Sequence, residues 1–220
     1  MTVVVSGVIA VIIAYLIGSI PGAYIVTRLV TGKDIRKLGE GNAGARNVYR
    51  EVGFLAAIPV AIIDVGKGVA AVMIAKFALD ALPLFVVLAG LAAVAGHIWS
   101  VYLRFTGGNG LSPTIGVLAI LMPWELVIVL GIMLILTIVT RNPVLSLNIG
   151  LLSLPVSGWF LEKLWLVVIF STLLLLIMAL NFLPTAKVAL AEAGSKNRLL
   201  AELVRIDKAT RKQERRKKRR

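Results

Sequence analysis

The chain has 220 residues, 59% of them hydrophobic, a formal net charge of +13, no cysteine and one histidine. With a mean hydropathy of +0.93, its apolar runs are too long and too numerous for the core of one soluble domain. The missing cysteines exclude disulfides, thiolate nucleophiles and acyl-cysteine intermediates, and the single histidine excludes a multi-histidine zinc or iron site.

A helix crossing about 30 Å of hydrocarbon needs about 20 mostly apolar residues, and inside lipid each such segment must satisfy its own backbone. The apolar windows lack the apolar/polar alternation of barrel strands, so the expected fold is all-α. It is a polytopic integral membrane protein of about seven transmembrane helices, N-terminus outside and C-terminus cytoplasmic. The first span covers Val3 to Val26, and no Lys or Arg precedes its apolar core, so it reads as a retained span and not a cleaved signal segment. Pro21 and Gly22 in GSIPGAY bend or end it. The loop that follows holds six basic residues between Arg28 and Arg50. Span two, Phe54 to Ala78, contains Asp64 and Lys67, and span three, Leu84 to Ile98, ends beside His97.

The stretch RFTGGNGLSPT, residues 104 to 114, comes next, then two spans separated by MPWE, residues 122 to 125. TRNP, residues 140 to 143, leads to span six, and span seven runs from Leu164 to Phe182. The segments 111–121 and 144–156 are short, which fits tilted or partly inserted helices. Residues 1–185 form the transmembrane domain and 186–220 a basic cytoplasmic tail. Between Lys187 and Arg220 stand 13 Lys or Arg and 4 Asp or Glu. Two readings of the tail are open: a solvated topology signal, or contact with anionic lipid worth about 1 kcal/mol per basic residue. No groove-reading residues accompany it, and nucleic acid is not an expected partner. The positive-inside rule then places the first loop, the glycine loop and the TRNP turn on the cytoplasmic face, with Asp80, Glu125 and Glu162 opposite.

The candidate site residues converge on that face. Asp64 and Lys67 are three apart on one helix, so they share a face; they form either a structural pair between spans or a cation reaching toward an anion. EGNAGARNVYR, residues 40 to 50, joins glycines that let backbone amides nest around an anion to the amides of Asn42 and Asn47 and the guanidinium groups of Arg46 and Arg50. The second loop repeats the logic with Gly107, Gly108 and Gly110, the donor Asn109, and Ser112 and Thr114 at a helix start that favours an anion. It has no Walker lysine, which argues against an ATPase or GTPase. His97 is either a packing residue or part of the site.

At these residues the sequence resembles the PlsY family of bacterial acyl-phosphate:glycerol-3-phosphate acyltransferases. EGNAGARNVYR follows the family pattern SGNxGATNxxR, DVGKG at 64–68 matches DxxKG, and GHIWSVYLRFTGGNGLSPT at 96–114 resembles GHxxPxFxxFxGGKGxAT. GSIP and the TR at 140–141 also agree, so the resemblance covers most of residues 15 to 145. Glu40 stands for the family's serine, Arg46 for its threonine, Ser100 for a proline and Asn109 for the loop lysine. TRNPVLSL echoes TRxxSL, with Ser146 as the serine's counterpart, and the C-terminal HRxNIxRL is echoed only by Asn197 and Arg198.

The resemblance implies transfer of a fatty acyl group from acyl phosphate to the 1-hydroxyl of glycerol 3-phosphate, giving lysophosphatidic acid, with no cofactor and no metal. It implies catalytic roles for His97, Asn109 and Lys67, and substrate binding by Asn42, Arg46, Asn47, Arg50, Gly107, Gly108, Gly110, Ser112, Arg141 and Ser146. Two alternatives stay open at this point: a non-catalytic or altered-substrate paralogue that binds a phosphate-bearing lipid precursor, and a small transporter.

Overall fold

The computed structural model describes residues 3–193, the side chains of 184–193 excepted. The end of the basic tail, with Asn197 and Arg198, lies outside the described residues. Among the described residues every element is helical. In chain order the α-helices are α1 (Val3–Ser19), α2 (Gly22–Thr31), α3 (Ala45–Glu51), α4 (Phe54–Met73), α5 (Pro83–Ile98), α6 (Leu111–Leu121), α7 (Pro123–Thr140), α8 (Pro143–Leu151), α9 (Leu154–Glu162) and α10 (Trp165–Ala193), with short 3₁₀ turns at Ile35–Lys37 and Val101–Leu103 and a π-helical turn at Ile74–Ala78.

Proline and left-handed residues punctuate the chain. Pro83, Pro123 and Pro143 each open a helix, where the missing N–H costs no intrahelical bond. Left-handed Gly32 stops α2, and left-handed Arg141 and Lys163 stop α7 and α9. The expected bend at Pro21 is a full break between α1 and α2, so the first span is two helices.

Five helical stretches among the described residues have the length and hydropathy of a membrane span, or six if α8 and α9, bent by 46°, count as one. Seven segments were expected, and the difference lies in the two short ones. The 11-residue α6 is only about 16 Å long at about 1.5 Å per residue, which is less than a bilayer core. The 144–156 segment is interrupted between Leu151 and Leu154, where α8 gives way to α9.

Helices approach closely where glycines remove side chains. A Cβ on Gly18 would strike the Ala93 backbone, one on Gly96 the Tyr15 carbonyl, one on Gly68 the Pro113 carbonyl and one on Gly116 the Val65 carbonyl. Thus α1 lies backbone to backbone on α5, and α4 on α6, the small-residue packing that serves where lipid removes any hydrophobic drive between helices. The main core includes Val72, Ala89, Val94, Leu118, Leu151, Phe170 and Leu174. A second, separate core of Ala23, Ile35, Val48, Val60 and Leu103 sits under the first loop. Outward residues such as Leu55, Ile62, Ile138 and Val139 are exposed and apolar, as a lipid-facing surface requires.

Candidate active site

The first loop is built around one side chain. Asn47 is fully buried; its Nδ2 donates to the carbonyls of Ile35 (3.3 Å), Leu38 (3.0 Å) and Asn42 (2.9 Å), and its Oδ1 accepts from the Glu40 N–H (3.1 Å). The backbone wraps this amide through left-handed Gly39 and Gly41, and a Cβ at Gly39 would strike Asn47 Oδ1. The resemblance makes Asn47 a substrate-binding residue that would help position the polyol, but here its donors and acceptor are all engaged by the loop. Asn42, half-buried, accepts from the Gly44 N–H through its Oδ1 at 3.0 Å, while its Nδ2 makes no hydrogen bond among the described residues. Arg46 and Arg50 lie one turn apart on α3, and Arg50 Nη1 pairs with Glu40 Oε1.

The glycine loop is built by contact with the end of α5. Gly108 N–H donates to the His97 carbonyl at 3.1 Å. A Cβ on Gly107 would meet the carbonyls of His97 and Ile98, and one on Gly108 the His97 ring, so this backbone lies flat on the helix end. Gly110, at φ +82°, turns the chain into α6. The Asn109 side chain is exposed and makes no hydrogen bond among the described residues. The N–H groups of Gly107, Asn109 and Gly110 also make no hydrogen bond among the described residues, although Gly110 is buried. Ser112 is half-buried in the first turn of α6, and Thr114 is buried beneath it.

The two loops meet. Ala43 N–H donates to the Gly107 carbonyl at 3.0 Å. Arg36 Nη1 donates to the Leu103 carbonyl at 3.2 Å and to Thr106 Oγ1 at 3.3 Å, with its guanidinium 5.5 Å from the Tyr24 ring centroid. Asp34 holds the other side of that guanidinium, Nη2 to Oδ2 at 2.7 Å and Nε to Oδ1 at 3.0 Å. Hydrogen bonding from Arg36 holds the Asp34 carboxyl below its ordinary value, against the opposing effect of burial. No sequence motif singled out Asp34 or Arg36. The available signal was the Asp-x-Arg spacing just after Gly32, in which Asp34 Oδ1 accepts from the Arg36 N–H at 3.0 Å and caps a 3₁₀ turn.

Beneath the glycine loop lies a buried polar junction. Lys67 Nζ is 2.9 Å from Asp64 Oδ1 and donates to the Ile20 carbonyl at 3.1 Å; His97 Nδ1 is 3.5 Å from the same carboxylate oxygen. The Ser100 hydroxyl donates to the Ser19 carbonyl at 2.6 Å, and the Tyr15 hydroxyl to the Trp99 carbonyl at 2.7 Å. Where α1 and α5 end inside the protein, their last carbonyls have no intrahelical donor, and these side chains supply one. Lys67 is 5% exposed, so its ammonium is an inward pair with Asp64 and not an open cation at the loops. His97 touches both the pair and the glycine loop.

Ser146 is fully buried, and its hydroxyl lies 3.0 Å from Thr140 Oγ1 and donates to the Asn142 carbonyl at 2.9 Å. Asn142 Oδ1 caps α8 by accepting from Leu145 N–H at 3.2 Å. The bonds of Thr140, Asn142 and Ser146 thus stay within their own turn, with exposed Arg141 at its corner. The structure therefore brings the Asn42–Ala43 stretch, the glycine loop and His97 together, and sets Arg50 against Glu40 of the first loop. Asn47 and Lys67 are held by protein partners beside them, and Ser146 is held within its own turn.

The protein-family model described as glycerol-3-phosphate acyltransferase matches residues 8–189. Glycerol-3-phosphate acyltransferase 1 of Dehalococcoides mccartyi is 37% identical over 196 residues, covering 87% of this chain and 94% of that protein. The glycerol-3-phosphate acyltransferase of Endomicrobium trichonymphae is 35% identical over 189 residues, 86% of this chain and 94% of its own. Among solved structures, PlsY, an integral membrane glycerol 3-phosphate acyltransferase in its glycerol 3-phosphate form, superposes with a TM-score of 0.75 at 26% identity, covering 85% of this chain and 93% of that one.

Proposed function

Because this chain belongs to the glycerol-3-phosphate acyltransferase family, we propose that it transfers a fatty acyl group from acyl phosphate to the 1-hydroxyl of glycerol 3-phosphate, giving lysophosphatidic acid. It is a multi-pass protein of the bacterial cell membrane and an acyltransferase of phospholipid synthesis. The reading of the site rests on the Ala43–Gly107 hydrogen bond, which sets the arginine loop beside the glycine loop. Two phosphate-bearing substrates that repel each other in water are then held side by side.

Acyl phosphate is a mixed anhydride and is already activated. The acceptor hydroxyl attacks its carbonyl carbon, the new ester bond forms, and the carbon–oxygen bond to phosphate breaks. The hydroxyl proton passes to an oxygen of the departing phosphate. The chain's part is to bind, orient and stabilise charge. Arg50, Arg46 and Asn42 hold the acceptor's phosphate. The unengaged N–H groups of Gly107, Asn109 and Gly110, with Ser112 and the positive end of α6, cradle the acyl phosphate. His97 holds that cradle in shape from below, while Asn47 and Lys67 act by fixing the loop and the helix break. Arg141, at the corner of the turn that Ser146 holds, is assigned to the donor.

In this reading residues 1–185 carry the chemistry from the cytoplasmic face, with the N-terminus outside, and 186–220 meets anionic lipid headgroups. The test is product formation by purified protein from palmitoyl phosphate and radiolabelled glycerol 3-phosphate, run beside palmitoyl-CoA. Lysophosphatidic acid is expected with the acyl phosphate alone. No product from either donor, with the protein folded, points instead to the binding paralogue, which the exposed Asn109 at the lysine position favours.

A further inference from the structure

The guanidinium assigned to the acceptor's phosphate already has an anion on it. Arg50 Nη1 pairs with Glu40 Oε1, with side chains 14% and 36% exposed respectively. The main chain of Glu40 is fixed, because its N–H is held by Asn47 Oδ1 and left-handed glycines flank it at 39 and 41. Its side chain, in contrast, reaches across to Arg50 from the surface and has no hydrogen bond to any other described residue. A carboxylate and a phosphate compete for the same guanidinium donors, and both cannot occupy them without strong like-charge repulsion.

We propose that the Glu40 carboxylate is an intramolecular competitor for the phosphate seat on Arg50, displaced when glycerol 3-phosphate binds. This rests on the assignment of Arg50 to the acceptor's phosphate. Glu40 therefore sets the affinity for the acceptor and not the rate of acyl transfer. It also sharpens selectivity, since a phosphate dianion displaces the carboxylate whereas a neutral polyol such as glycerol does not. Rotation about the Glu40 side chain is enough for the exchange, with the Asn47-centred loop left intact.

The experiment measures binding of radiolabelled glycerol 3-phosphate to purified full-length protein, and steady-state kinetics, for the wild type, E40Q, E40S, R50A and E40Q/R50A. E40Q and E40S are expected to lower both Kd and KM about two- to fivefold, the range set by losing a partly exposed ion pair, with kcat nearly unchanged. R50A is expected to raise Kd by about tenfold or more through loss of charge-assisted hydrogen bonds, and the gain from E40Q disappears in that background. Unchanged or weaker binding in both E40Q and E40S, with R50A still defective, overturns the competitor and leaves the Arg50 assignment standing. Unchanged binding in R50A overturns that assignment and the competitor with it. A fall in kcat in E40Q and E40S without tighter binding overturns the proposal in favour of a role in proton transfer.

Discussion

The two loops that meet through Ala43 and Gly107 are both rich in glycine, yet they are held in opposite ways. The first is keyed by a buried side chain, Asn47, whose amide gathers three carbonyls and one N–H. The second has no such key; its backbone rests on the carbonyls and ring at the end of α5. A side-chain key can be lost by removing atoms, whereas a packed backbone is lost by adding them. The same residue type, glycine, therefore serves wrapping in one loop and contact in the other.

The sharpest way to break the comparison is Asn47→Asp, which replaces the amide donor with a carboxylate oxygen facing three carbonyl oxygens. Activity should fall by about a hundredfold or more, because misplacement of about 1 Å costs that much; the Ile35 and Leu38 carbonyls keep the Leu38 and Gly41 N–H groups, and the Asn42 carbonyl, left unpaired, costs about 1–3 kcal/mol of stability. Acyl-transfer assays alongside thermal unfolding check both. Retained activity would show that the loop does not depend on its key.

Gly108→Ala tests the packed loop and should lower kcat/KM by about tenfold or more. If the cause is the added methyl meeting the His97 ring, pairing it with His97→Ala should recover part of the loss. A double variant worse than both singles would place His97 in contact with substrate.

A smaller change is expected from charge at the loop junction. Asn109→Lys should lower KM for acyl phosphate severalfold, roughly 1 kcal/mol for one added charge-assisted bond, and should rescue Arg46→Thr if the two cations are interchangeable. Failure of that rescue would show that each loop binds its own phosphate.

The smallest effect belongs to the Asp34–Arg36 clamp. Its partners are partly exposed, so Asp34→Asn should destabilise by at most about 1 kcal/mol. Because the folded Asp34 value is lowered, this stability is fully present above the unfolded value of about 3.9 and is lost as pH falls through the lowered folded one. Unfolding of wild type and Asp34→Asn should thus differ at neutral pH and converge in acid.

The apolar windows, the breaks at Pro21 and Pro143, and the Asp64–Lys67 pair were legible because each depends on local spacing. The direction of Lys67 was not, since its acceptor is the carbonyl of Ile20, and a carbonyl carries no residue identity to read. Arg36 was hidden for the same reason, through Leu103. Asn47 looked like a ligand because an amide suited to a polyol is equally suited to three peptide carbonyls. In the short α6, composition showed an apolar helix but not that it lies against α4 at Gly68 and Gly116.

The bond from Lys67 to the Ile20 carbonyl bears on how the protein is made. The Ile20 carbonyl at the break in the first span already accepts from the Gly22 N–H at 3.1 Å, so the lysine is a second donor to an acceptor the chain itself serves. The second span carries two ions into lipid, and its ammonium gains at that carbonyl a partner beyond Asp64. The benefit therefore runs one way: the first span needs nothing from the second at its break, whereas the second is cheaper to settle in the bilayer with the first already beside it.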